Sequence, residues 1–207
     1  MYARSSTIVA SPSAMDKGIT FVRDEVWPAL SEMDGCLGFS MVVDREAGQG
    51  IVTSSWRDME SLTASVAKVM PMRERAAQAM GADTPLVQVW EIASMHRDHH
   101  SEPGTWVRAA WSKVAPEQAG QAIDFYKYVL LPEIQQMDGF VSASLLVDRV
   151  AGRGVTSVAY DSRESLEASR DKADYLRGTS TNEAQVEFLD VAELELVFAH
   201  LHVPELV

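Results

Sequence analysis

The chain has 207 residues, 46% hydrophobic and 23% charged, with a formal net charge of −12, a composition ordinary for a soluble globular protein. That charge repels polyanions, which argues against nucleic acid and anionic membrane as general partners. The single cysteine, Cys36, allows no intrachain disulfide, no apolar run approaches the roughly 20 residues needed to cross a bilayer, and Met1 to Met15 lacks the basic-then-apolar pattern of a secretory signal; together these predict the cytoplasm.

A repeat organises everything else. Met33-Asp34-Gly35 returns as Met137-Asp138-Gly139, 104 residues later. At the same offset Val43-Asp44-Arg45 matches Val147-Asp148-Arg149, and Ala47-Gly48 with Gly50 matches Ala151-Gly152 with Gly154. Glu60-Ser61-Leu62 matches Glu164-Ser165-Leu166. Arg4, Pro12, Pro28, Glu91 and His96 match Arg108, Pro116, Pro132, Glu195 and His200 without a gap. Residues 1–100 and 105–207 are therefore read as two copies of one module, with His100-Ser101-Glu102-Pro103-Gly104 as the linker.

Within each copy the elements follow in order. A first strand is predicted at about Ala3 to Ala10, echoed at about Trp106 to Val114. After Pro12 and Pro116 comes a helix. Its apolar face is Ile19, Val22, Val26, Leu30 and Met33, or Ile123, Tyr126, Leu130, Ile134 and Met137, spaced by three and four. Pro28 and Pro132 fall inside it, which predicts a kink or loosened turn, and Gly35 and Gly139 predict its end. A hairpin follows, turning at Ala47-Gly48-Gln49-Gly50 and Ala151-Gly152-Arg153-Gly154. Ile51 to Trp56, and Val155 to Tyr160, form its return strands. A second helix starts near Asp58 and Asp161, where Asp161 and Glu164 have capping-box spacing. Leu86 to Ala93, and Val191 to Phe198, close the modules.

The order βαββαβ gives an antiparallel sheet with both helices on one face. The other face is left uncovered, and a lone module of this size has a marginal core. A tandem copy supplies a second sheet at high effective concentration. The predicted fold class is α+β: two tandem ferredoxin-like modules forming an intrachain pseudo-dimeric barrel. The acidic surface also leaves a further homodimer open.

The βαββαβ module, the proline-bearing helix ending in Met-Asp-Gly, and the strand ending in Trp56 before an acidic-capped helix resemble the antibiotic biosynthesis monooxygenase domain of the dimeric α+β barrel superfamily. The resemblance covers both copies. It implies a pocket between each sheet and its own helices, with Trp56 and its counterpart Tyr160 at the end of the third strand lining it. It implies either a cofactor-independent monooxygenase, hence an oxidoreductase, acting on a small aromatic, or a protein without activity. Haem-degrading members carry an axial histidine on the second helix, and neither Asp58 to Met80 nor Ser162 to Arg177 contains one, which argues against haem; no cofactor is expected.

The candidate substrate-binding residues are Trp56, Trp90, Tyr160, Arg4 and Glu91. Trp56 suits stacking on a flat aromatic and equally a core position. Arg4 and Glu91, recurring as Arg108 and Glu195, are expected to pair across the first and last strands. The copies differ at Trp56 against Tyr160 and at Trp90 against Leu194, which favours the first copy as the working pocket. His96, His99, His100, His200 and His202 cluster after the last strands without a recognisable ligand spacing, so no metal site is expected. Cys36 reads as a small buried residue, and Asp44 and Asp148 as turn residues serving the backbone. No P-loop, dinucleotide fingerprint or nucleophile elbow is present. Two functions remain: oxygenation of an electron-rich aromatic, which lacks an evident base, and non-catalytic binding of a small apolar or aromatic molecule.

Overall fold

The structure, a computed structural model, describes residues 1–102 and 104–206; Pro103 of the predicted linker lies outside the described residues. The first copy runs β1 (Tyr2–Val9), α1 (Met15–Phe21), α2 (Trp27–Ser31), β2 (Cys36–Asp44), β3 (Gln49–Trp56), α3 (Met59–Ala64), α4 (Val66–Ala79) and β4 (Leu86–Arg97). The second runs β5 (Trp106–Lys113), α5 (Ala119–Phe125), α6 (Leu131–Ile134), β6 (Phe140–Asp148), β7 (Arg153–Tyr160), α7 (Arg163–Ala168), α8 (Arg170–Ala184) and β8 (Glu187–Leu201).

The proline effect takes a specific form. Between α1 and α2 the helix widens into a π-turn over Val22–Val26, and between α5 and α6 over Tyr126–Leu130. Pro28 and Pro132 then sit in the first turns of α2 and α6. A proline offers no N–H to the carbonyl four residues back and its ring collides with it. Widening to i→i+5 bonding just before the proline absorbs both problems. Gly35 (φ +77°) and Gly139 (φ +72°) leave the helix in the left-handed region.

The hairpins are held by backbone and side chain together. Asp44 accepts from the amides of Glu46 and Ala47, each at 2.8 Å, and Asp148 does the same for Val150 and Ala151 at 3.0 Å. Gly48 and Gly152 let the turn close on the end of β1 or β5: a Cβ there would lie about 2 Å from the carbonyl oxygen of Ala10 or Val114. The helix caps correct one expectation. Asp58 caps α3 through the Ser61 amide (2.8 Å), but in the second copy the cap is Ser162, bonding the Ser165 amide (3.1 Å). Asp161 lies one residue too early and accepts from the hydroxyls of Ser162 and Ser165 instead.

β3 pairs antiparallel with β1 and β2, and β7 with β5 and β6. The closing strands are longer than predicted, 12 and 15 residues, and each is divided between two compact units. The first unit is Met1–Trp90 with Leu196–Val203; the second is Glu91–Glu195 with residues 204–206. In the second unit, Glu91 to Arg97 of β4 pair with β6, from Glu91↔Val147 to Arg97↔Ser142. Glu187 to Glu195 of β8 pair with β5. In the first unit the His202 amide donates to the Leu37 carbonyl at 2.9 Å. Trp27 stacks on Phe39 (centroids 5.8 Å apart) and on His200 (4.9 Å). The hydrogen-bonded strand order β1-β3-β2-β8-β5-β7-β6-β4 closes on itself as an eight-stranded barrel, the predicted α+β class.

Each unit has its own core. Met15, Val22, Leu30, Phe39, Met41 and Trp56 build the first. Ile123, Tyr126, Leu130, Phe140, Leu145 and Leu176 build the second. Among the described residues no helix is long and apolar enough to cross a membrane.

Candidate functional site

In each unit a cleft lies between the sheet and its helices, and an arginine sits at its base. Arg4 on β1 is 3% exposed. It donates to the Ser65 hydroxyl (2.9 Å) and the Leu62 carbonyl (2.6 Å). Arg108 on β5 repeats this with Ser169 (2.7 Å) and the Leu166 carbonyl (2.7 Å). Each guanidinium thus clasps the junction between two helices, and lies over the ring of Trp56 (5.9 Å) or Tyr160 (5.7 Å).

The expected pairing of Arg4 with Glu91 does not form. Arg108 does pair across the strands, but with Glu193, its direct neighbour in register, at 2.8 Å; Glu195 stands opposite Trp106. In the first copy the position equivalent to Glu193 is Val89. Glu91 instead receives both arms of Arg149, at 2.7 and 3.0 Å. This bidentate ion pair within the second unit holds the Glu91 carboxyl below the usual carboxylate range.

The other singled-out residues fall in different places. Trp56 is fully buried, its Nε1–H donating to the Ser54 hydroxyl at 3.0 Å. Trp90, 3% exposed, donates to Ser5 at 2.9 Å, on the face of β1 opposite Arg4. Tyr160 lines the cleft of the second unit together with Arg108. Among the histidines, His96 stacks on Phe140 and lies 3.4 Å from Glu205. Among the described residues no three His, Cys, Asp or Glu side chains converge on a metal-sized site.

The two clefts are not equal. In the second unit two adjoining hollows, of about 540 and 490 Å³ counting space open to solvent, share Tyr126, Leu130, Thr156, Ser180 and Phe188 in their walls. In the first unit one narrower cleft of about 430 Å³ is lined by Arg4, Ser6, Ser54, Arg73 and apolar side chains. The sequence explains the difference. Ile8 and Met15, both buried in the first unit, become Ser112 and Ala119 in the second, and both of these line the larger hollow. Met80, packed against Ile8, becomes Ala184.

Tyr126 lines both of those hollows. It is 3% exposed, and among the described residues its hydroxyl has no hydrogen-bond partner. Burial pushes its phenol well above the ordinary value, so it stays neutral and able to donate a hydrogen bond at neutral pH. An unsatisfied buried hydroxyl costs on the order of 1–3 kcal/mol, which a ligand acceptor would recover. Its counterpart is Val22, a difference between the copies visible in the sequence in the same way as Trp56 against Tyr160. Arg73 and Arg177, one on each long helix, are a second recurrence, and each lines the cleft of its own unit.

Glu193 accepts from Arg170 (2.6 and 3.0 Å) and from Arg108 (2.8 and 3.3 Å). These bonds hold its carboxyl below the usual range, the Arg170 contact foremost. A depressed carboxyl contributes stability that is present above its unfolded value and is lost as pH falls through the folded one. Acid titration of the native protein should therefore loosen the second unit below about pH 4. Glu193→Gln should remove that part of the pH dependence in urea unfolding between pH 3 and 7, and an unchanged profile would show that the pairing does not matter to stability.

No family model matches the chain. It is 52% identical over 207 residues to an uncharacterized protein of Mycobacterium tuberculosis H37Rv, Rv2557, covering all of this chain and 92% of that one. It is 50% identical over 208 residues to a second, Rv2558, covering 88% of it. Among solved structures it is similar to a candidate monooxygenase of Lactobacillus acidophilus NCFM (TM-score 0.74, 11% identity, 97% of this chain and 96% of that one). It is also similar to an anthrone oxidase-like protein (TM-score 0.70, 15% identity, 99% and 94%). A third match is a ferredoxin-fold protein of Listeria monocytogenes related to antibiotic biosynthesis monooxygenases (TM-score 0.55, 8% identity, 94% of each). The chain belongs to the family of the mycobacterial proteins Rv2557 and Rv2558, and shares its fold with these solved structures.

Proposed function

We propose that the protein is a cofactor-independent monooxygenase that oxidises a small, electron-rich aromatic in the cleft of the second unit. The carrying observation is Tyr126, which lines both hollows and whose buried hydroxyl has no hydrogen-bond partner among the described residues. An anthrone-type substrate has an acidic CH₂ beside a ring system and a carbonyl oxygen that gains negative charge when that proton leaves. A neutral phenol donor aimed at this oxygen stabilises the developing enolate. The enolate reduces O₂, a peroxide forms at the former CH₂ carbon, and loss of water leaves a carbonyl: CH₂ + O₂ → C=O + H₂O. The fold of an anthrone oxidase-like protein supports this choice of substrate class.

Oxygen uptake with hydroxylated anthrones and quinols tests the reading. Activity with an anthrone, and a fall of about 10²–10³-fold in kcat in Tyr126→Phe, is the expected result. A second reading, a binding protein without catalysis, is favoured by the cleft walls, whose ionisable side chains are arginines and tyrosines with no carboxylate or histidine to take the proton. Tight binding of the aromatic with no oxygen uptake across the panel would select it.

A further inference from the structure

The two copies treat the same buried arginine in opposite ways. In the second unit Arg108 is neutralised by Glu193, which also binds Arg170, and Arg177 pairs with Asp174. The equivalent positions in the first copy are Val89 for Glu193, Val66 for Arg170 and Met70 for Asp174. Both carboxylates that balance the second cleft, Glu193 and Asp174, are apolar in the first, while both arginines are kept. Arg4 lies buried at the base of the first cleft. Arg73, on α4, donates its Nε–H to Ser6 at 3.1 Å on the same face of β1. Among the described residues neither makes an ion pair with a carboxylate. Glu74, next to Arg73, is exposed and eases only that one charge.

We propose that the cleft of the first unit binds an apolar molecule carrying an anionic oxygen group, held between Arg4 and Arg73. Two guanidinium groups facing one cleft repel each other, and burial removes the water that would screen them. Desolvation, then repulsion by Arg73, brings Arg4 down to about 10, so it remains charged at neutral pH. An anion lying between the two relieves the repulsion and gains charge-assisted hydrogen bonds. Arg4 spends donors on Ser65 and Leu62 in the clasp, and its planar fork carries five N–H bonds in all. The rest of the wall, with Ile8, Val22, Val26, Phe39, Val52 and Met72, accepts an apolar body. The second unit supplies its own carboxylate; the first takes one from its ligand. This site is independent of the oxygenase reading, which concerns the other unit.

The test is calorimetric titration of the full-length chain with 1-naphthoate and with its neutral analogue 1-naphthamide. Naphthoate should bind about tenfold or more tightly than the amide. Val89→Glu, a change at an exposed strand position, installs the counter-ion of the second copy and should abolish that preference with the circular dichroism spectrum unchanged. Arg73→Met should reduce naphthoate affinity about tenfold and leave the amide alone. Tyr126→Phe should leave the preference intact, which separates this site from the cleft of the second unit. Equal affinity for the two probes in the natural protein, no naphthoate binding at millimolar concentration, or a preference that survives Val89→Glu would overturn the proposal.

Discussion

Trp56→Ala should cost about 3–5 kcal/mol of stability and leave oxygen uptake per folded molecule unchanged. The ring is fully buried in the first core, its Nε1–H satisfied by Ser54, and it lies beneath the Arg4 guanidinium. Removing it creates a cavity, strips a hydrogen bond from Ser54 and takes the aromatic platform from a buried cation. These losses act on folding of the first unit, whereas the Tyr126 cleft is walled entirely by the second. Urea unfolding followed by circular dichroism measures the cost. A change below about 1 kcal/mol would show that the ring is not packed in solution, and a selective loss of turnover would place Trp56 in the chemistry.

Filling the second cleft should separate ligand binding from stability. The double variant Ser112→Ile with Ala119→Met gives the second copy the residues that the first carries at Ile8 and Met15. The hollow they would enter has the same backbone frame, so the added groups should fit at a cost of no more than about 1–3 kcal/mol. Binding of an aromatic ligand should fall by two orders of magnitude or more, about 2.8 kcal/mol, with oxygen uptake lost alongside it. Retained binding in a folded double variant would place the ligand elsewhere. The reverse exchange, Ile8→Ser with Met15→Ala, should open the first unit and destabilise it, because both side chains are at most 2% exposed.

These experiments follow the line between what the sequence discloses and what it hides. The repeat, the proline-loosened helices, the glycine exits and the Asp-headed hairpins are legible because each rests on local chemistry that one residue type performs best. Recurrence of Arg4 as Arg108 was visible, but its main partners are a carbonyl oxygen and a serine at a helix junction about 60 positions away, and nothing in residue identity announces a backbone acceptor. Pairing it with Glu91 followed from the right topology and the wrong register; Glu193 shows that the contact belongs two residues earlier. The length of β4 and β8 was obscured by histidines and charges that resemble a linker but lie along a strand. The cleft itself was written in the differences between copies. Comparing aromatic positions pointed to Trp56 and Tyr160, the platforms under the arginines. Comparing side-chain volumes at Ile8/Ser112 and Met15/Ala119, and polarity at Val22/Tyr126, points to the hollow.

The divided closing strands bear on how this polypeptide is made. The first unit includes Leu196–Val203, and Leu37 takes its hydrogen bond from His202. On the ribosome the first copy emerges with its helices and hairpin ready, yet the strand segment that completes its unit is translated only after nearly all of the second copy. The second unit has the opposite history: its segment of β4 is waiting before the rest of the copy appears. The second unit should therefore be the earlier to close, and the first should stay open until Leu196–Val203 emerges, guarded in the meantime only by local structure. A chain truncated after Glu195, which keeps β8 pairing with β5 but lacks Leu196–Val203, should be protected from proteolysis in the second copy and cut in the first.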